Sequence, residues 1–126
     1  MSAVDLSLSA GELRVTCSRA AERVVAVFVG TADAQVDAQL EAFLGRQHAA
    51  VEREPAAEVV ADIRHLEFMN SSCFKAFVTW IVQVRRMPAA SQYRIRFLSS
   101  AQHHWQKRSL HAISYFGGDL IRIDAE

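Results

Sequence analysis

The stretch Val59-Val60-Ala61-Asp62-Ile63-Arg64-His65-Leu66-Glu67-Phe68-Met69-Asn70-Ser71-Ser72 decides how the chain folds. Its opening, Val59-Val60-Ala61 with Ile63, is apolar without alternation, as expected of an interior strand covered on both faces. Asp62 closes that strand, a short loop anchored by Phe68 follows, and Asn70-Ser71-Ser72 brings side-chain oxygens to a helix start. Beyond it, Phe74, Phe77, Val78 and Ile81 share one helical face, widened by Trp80 and Val84, while Lys75, Thr79, Gln83 and Arg86 point away. The spacing predicts a helix over about 71–86, ended by Met87-Pro88.

Working toward the N-terminus, Leu13, Val15 and Cys17 alternate with Arg14, Thr16 and Ser18, the period of a half-buried strand. A polar link, Arg19 to Glu22, joins it to the β-branched run Val24 to Val29, bounded by Gly30; a hairpin is the simplest reading. The period then becomes helical through Val36, Leu40, Phe43, Leu44 and Val51, with Thr31 or Asp33 as cap and Pro55 as the limit. Toward the C-terminus, Tyr93, Ile95 and Phe97 alternate with Arg94 and Arg96, and Ser99 or Ser100 caps a third helix with a thin stripe at Trp105, Ser109, Ala112 and Ile113. Gly117-Gly118 and a last strand at Leu120 to Ile123 complete the order β-β-α-β-α-β-α-β. That order gives an α/β fold: a mixed sheet with helices packed on it, an antiparallel hairpin leading into parallel strands joined by right-handed crossovers. The 126 residues form one domain, with a core over about 11–124 and a flexible N-terminus over about 1–10.

Composition narrows the function. Fourteen basic and fourteen acidic residues cancel, so no long-range field gathers nucleic acid or an anionic membrane. No apolar run approaches the ~20 residues of a spanning helix, and Met1 to Asp5 lacks the pattern of a secretory signal, so the cytoplasm is the expected compartment. Cys17 and Cys73 read as reduced thiols used as small apolar residues.

Catalytic patterns are missing: there is no Walker loop, no G-x-S-x-G elbow and no C-x-x-C. Cys73, near a helix start, is the one candidate nucleophile, although Thr79 stands where a phosphate-binding cysteine loop needs arginine. His103-His104 and His111 form the only histidine cluster, without a carboxylate or cysteine at the spacing that completes a metal site. Lys107-Arg108, Arg85-Arg86, Arg94 and Arg96 read as solvated surface, since no aromatics are interleaved for base stacking. Neither metal nor cofactor is expected, and the chain is not expected to be an enzyme.

The segment from Val59 to about Ile81 resembles the STAS domain of bacterial anti-sigma factor antagonists, whose signature is an apolar strand, Asp, a loop and Asp-Ser-Ser/Thr-Gly before a helix. The preceding hairpin, Gly30 with Asp33, and the later β-α-β order extend the resemblance over most of the chain. It implies a STAS-like regulatory module in transcriptional or stress signalling. In phosphorylated members the first hydroxyl after the acidic residue accepts phosphate from a partner anti-sigma factor that is a serine kinase, and a phosphatase reverses it. By position that residue is Ser71, with Ser72 second, and the docking surface comprises Phe68, Met69, Asn70, Ser71, Ser72, Cys73 and Lys75. Asn70 stands in place of the usual aspartate and Cys73 in place of the usual glycine. Three alternatives remain open: Asn70 or Ser71 as a plain N-cap, a non-phosphorylated scaffold or homo-oligomerising subunit, and a Cys73-dependent enzyme.

Overall fold

The computed structural model describes residues 6–126. Six strands form one sheet in sequence order: β1 (Ser7–Ala10), β2 (Leu13–Ala20), β3 (Arg23–Ala32), β4 (Glu58–Met69), β5 (Arg94–Ser99) and β6 (Ile121–Ala125). β2 is antiparallel to both of its neighbours, β1 and β3, and β3 to β6 run parallel. A parallel pair needs a crossover. Three helices supply them: α1 (Asp37–Arg53), α2 (Ser71–Arg85) and α3 (His104–Gly117).

β3 and β4 lie at the centre, as their apolar character requires. Alternation on β2 and β3 turns Leu13, Val15, Cys17, Val24, Ala26 and Phe28 into one buried cluster with Val59, Ala61, Ile95, Phe97 and the inner sides of all three helices. Phe77 fixes α2 over the middle of the sheet, its ring 5.4 Å from that of Phe28 and 6.1 Å from that of Phe97. The helices cover one face only. On the other, Val60 and Asp62 are nonetheless buried, because Arg96 stands in register beside Val60 and the Arg64 side chain folds onto Asp62.

Several expectations are corrected. Residues 7–10 are not a flexible tail: they pair as β1 along β2, from Ser7 opposite Thr16 to Ala10 opposite Leu13. Met1 to Asp5 lie outside the described residues. The link between the hairpin strands is only Ala21-Glu22, since Ala20 already pairs with Arg23. Neither Thr31 nor Asp33 caps α1: Thr31 belongs to β3, and Asp33 Oδ1 accepts from the Gln35 amide in a turn ahead of the helix. Neither Ser99 nor Ser100 caps α3, which begins after His103 without a side-chain cap. Its buried residues are Gln106, Leu110, Ile113 and Gly117.

The largest correction concerns β4. The segment expected to be a loop after Asp62 is strand as far as Met69, paired with the end of β3 from His65 opposite Val29 to Met69 opposite Ala32. Two register shifts interrupt the ladder, between Val27/Val29 and between Gly30/Thr31. Each adds a residue to β4, and such bulges bend a strand and break its alternation. Gly30 sits at one of them with φ +105°, where a Cβ would lie 1.9 Å from the Glu12 carbonyl oxygen; only glycine fits.

Candidate functional site

β4 passes into α2 with Asn70 as the single intervening residue. Asn70 has extended backbone, and its Oδ1 accepts from the Cys73 amide at 3.0 Å, satisfying one of the orphan donors of the first turn. Its own amide donates to the Ala32 carbonyl at 2.9 Å, which ties the junction to the end of β3. Ser71 and Ser72 therefore fall at the first two helical positions with exposed side chains. Their amides have no intrahelical acceptor and carry the positive end of the helix dipole.

Of the other sequence-proposed docking residues, Lys75 is exposed and Phe68 is 49% exposed. Met69 is half-buried against the core, and Asn70 is half-buried as the cap. Cys73 is corrected: it is wholly buried, with Sγ 3.4 Å from the Asp33 carbonyl oxygen. Its side chain fills the gap between α2 and the β3–α1 connection and offers nothing to a surface partner. Burial pushes its thiol up to about 11, with the charges of Asp37 and then Asp33 adding to the effect. A thiolate nucleophile at Cys73 has no support from this environment.

Asp62 does not border the junction. It sits in β4 on the uncovered sheet face, 4% exposed, gripped by Arg64 through Nε to Oδ1 at 2.9 Å and Nη2 to Oδ2 at 2.7 Å. Burial alone would raise its carboxyl, but the hydrogen bonds and charge of Arg64 outweigh burial and hold it below the ordinary carboxylate range. Arg64 also reaches Glu126 Oε1 at 2.8 Å.

Sequence reading missed Gln106. Beyond Asp62, β4 no longer pairs with β5, and the carbonyls of its bulged half need other donors. Gln106, fully buried on α3, donates Nε2 to the Ile63 carbonyl at 2.6 Å and the Leu66 carbonyl at 3.0 Å, while its Oε1 accepts from the Ser100 amide. Trp105 Nε1 donates to the Glu67 carbonyl at 2.8 Å, next to Phe68. The only sequence signal was a glutamine placed a turn before two apolar residues, Leu110 and Ile113, on one helical face.

His103, His104 and His111 are not joined by carboxylates or cysteines: among the described residues no group of three or more His, Cys, Asp or Glu could hold a metal ion. No helix among them is long and apolar enough to cross a membrane.

The same arrangement of sheet and helices occurs in solved structures. An anti-sigma factor antagonist from Mycobacterium paratuberculosis superposes with a TM-score of 0.63 at 16% identity, over 91% of this chain and 90% of that one. The fold is that of the anti-sigma factor antagonists. A second member, the antagonist SpoIIAA in its unphosphorylated form, gives a TM-score of 0.56 at 18% identity, covering 89% of each chain. No protein-family model and no curated protein sequence matches. The STAS-like architecture expected from the sequence is thus shared with these antagonists, and at such low identity the likeness concerns the fold.

Proposed function

We propose that the chain is a regulatory protein–protein interaction module of the anti-sigma factor antagonist type, switched by phosphorylation of Ser71. The observation that carries this reading is the pair of exposed hydroxyls, Ser71 and Ser72, at a capped helix start that closely follows the exposed Phe68 in the chain. An exposed aromatic next to polar groups with unused donors is the composition of a docking surface. Lys75, one turn further along α2, adds a cation to it.

The partner is a serine kinase of the anti-sigma type. It transfers the γ-phosphoryl group of ATP to Ser71 Oγ, the hydroxyl proton leaves and ADP is released; a cognate phosphatase hydrolyses the ester. The phosphate adds a charge of about −1.5 to −2, which the free amides of the first turn can solvate. Asp33 and Asp37 lie on the neighbouring side of the junction, close enough to act on Cys73, so the added charge deepens an acidic edge. A partner seated on the neutral hydroxyl is displaced by repulsion and desolvation. Asn70 supplies the cap that an aspartate would also supply, and without a carboxylate it places no further negative charge beside the acceptor. That SpoIIAA, a protein of similar fold, is described in an unphosphorylated form supports phosphorylation as the chemistry to look for here. We read the module as non-enzymatic and cytoplasmic; the buried, protonated Cys73 supports the first of these.

The test is phosphosite mapping by mass spectrometry of the protein isolated from its native cells. Phosphate on Ser71 is expected; phosphate confined to other residues, or none under every growth condition, overturns the switch. A constitutive scaffold that assembles with itself is the second reading, favoured by the uncovered sheet face, where Val29 is 44% exposed. A stable monomer at all concentrations in light scattering would remove it.

A further inference from the structure

The docking junction leaves unused the sequence motifs His103-His104, Lys107-Arg108 and His111. The fold brings all five together. His103, just ahead of α3, and the other four, on one flank of it at helical spacings of three and four residues, line a cleft of about 800 Å³ between that helix and the edge strand β6. Lys107 and Arg108 are exposed at its rim. The floor is apolar: Leu110, Ala125 and Ile123, the last 37% exposed because β6 is the sheet edge and α3 covers it incompletely.

The charge pattern is one-sided. Among the described residues no carboxylate lines the cleft. The two nearest in sequence are engaged on the opposite sheet face: Asp124 Oδ2 is 2.9 Å from Arg96 Nε and 3.5 Å from Arg122 Nε, and Glu126 is held by Arg64. Zero net charge on the whole chain therefore conceals a local excess of cations over an apolar floor. The cleft also lies at the carboxyl ends of parallel strands β5 and β6, where open α/β sheets place their ligands. Its volume falls in the range of about 300–1,000 Å³ typical of small-molecule sites.

We infer that this cleft binds a small amphipathic anion: an aryl or acyl body resting on Leu110, Ile123 and Ala125, and a phosphate, sulfonate or carboxylate head held by Lys107 and Arg108 with the histidine imidazoles as further donors. Cationic side chains around an apolar floor select against both a neutral apolar molecule and a bare inorganic anion, because each satisfies only half of the site. The inference is independent of Ser71: either can fail while the other stands.

Titration of the ¹⁵N-labelled full chain with 1-naphthyl phosphate, followed by amide chemical shifts, tests it. Saturable shifts are expected at residues 99–111, Ile123 and Ala125, with 1-naphthol and inorganic phosphate each at least ~10-fold weaker. The double variant Lys107→Glu/Arg108→Glu, at two exposed positions, should keep a dispersed folded spectrum and lose at least ~10-fold in affinity. Ile123→Asp should weaken binding of the same probe comparably, through the floor rather than the rim. Decanoate in place of the aryl phosphate distinguishes an acyl from an aryl preference; saturation by either supports the site. Non-saturating shifts with both, equal affinity for 1-naphthol, or unchanged affinity in the charge-reversed variant would overturn it. So would saturable binding of a glutamate-rich peptide with no binding of either small anion, which would assign the cleft to an acidic protein segment.

Discussion

Two of the strand-to-helix junctions along the carboxyl edge of the parallel sheet, β4–α2 and β5–α3, use their polar groups in opposite directions. At the β4–α2 junction one residue, Asn70, makes the turn and caps the helix, and the hydroxyls that follow face outward. At the β5–α3 junction no side chain caps the helix, and the polar groups of its first turn, Trp105 Nε1 and the Gln106 amide, turn inward to serve carbonyls of β4. The second junction holds the first in place. A bulged strand end without ladder partners would otherwise carry unsatisfied carbonyls, and α3 satisfies them just behind Phe68. Exposed hydroxyls at one helix start are therefore available for a partner because a buried amide at the other has fixed the strand that presents them.

The sharpest way to break this contrast is Gln106→Leu. It leaves the Ile63 and Leu66 carbonyls and the Ser100 amide without their partner, and a loss of about 2–4 kcal/mol is expected in urea denaturation. A loss under ~0.5 kcal/mol would mean that α3 does not hold β4. Ser71→Asp separates stability from binding: the carboxylate at the helix start should add about 0.3–1 kcal/mol to stability while weakening partner affinity at least ~10-fold in calorimetry. Phe68→Ala should cost a similar ~10-fold in affinity, since exposed aromatics anchor interfaces, with stability changed by less than ~0.5 kcal/mol in thermal melts. Asn70→Ala should cost about 1 kcal/mol through the lost cap, measured by chemical denaturation.

The smallest effect lies away from both junctions. Trp80 Nε1 donates to the Tyr93 hydroxyl at 2.7 Å, and that hydroxyl lies 2.7 Å from His48 Nδ1. The Trp80 Nε1 and Tyr93 hydroxyl protons both have an acceptor when Tyr93 donates to an unprotonated Nδ1. Burial lowers the His48 pKa, and Glu52 only partly offsets it. Because the unfolded chain then binds more protons, the His48 contribution to stability is complete above about pH 6.5 and is lost as the pH falls from there through the lowered folded value. Denaturation between pH 7.5 and 5 should show that decline, and His48→Gln should flatten it.

Much of the fold was legible because burial follows simple periods. Leu13, Val15 and Cys17 alternate, Phe77, Trp80, Ile81 and Val84 recur at helical spacing, and the helical pattern ended where the chain turns. What stayed hidden involved either short polar pairing or broken periodicity. β1, Ser-Leu-Ser-Ala, carries too little apolar surface to announce a strand and is defined by its partner β2. The bulges in β4 interrupt alternation after Asp62, so a continuous strand reads as a loop. Within the site, the cap and the exposed hydroxyls followed from Asn70-Ser71-Ser72 themselves. The service of Gln106 to β4 did not, because it depends on a partner that only the tertiary fold brings close, and the Arg64 grip on Asp62 did not, because it needs the strand to continue past Asp62.

The most direct test of the proposed switch compares the unmodified protein with protein phosphorylated at Ser71 alone, each titrated calorimetrically into the partner kinase-type regulator, with Ser71→Ala as control. Phosphorylation should weaken binding at least ~10-fold and Ser71→Ala should stay within ~3-fold of the unmodified protein. Equal affinities for all three would contradict the account, because the exposed hydroxyl at the start of α2 would then be a helix start and nothing more.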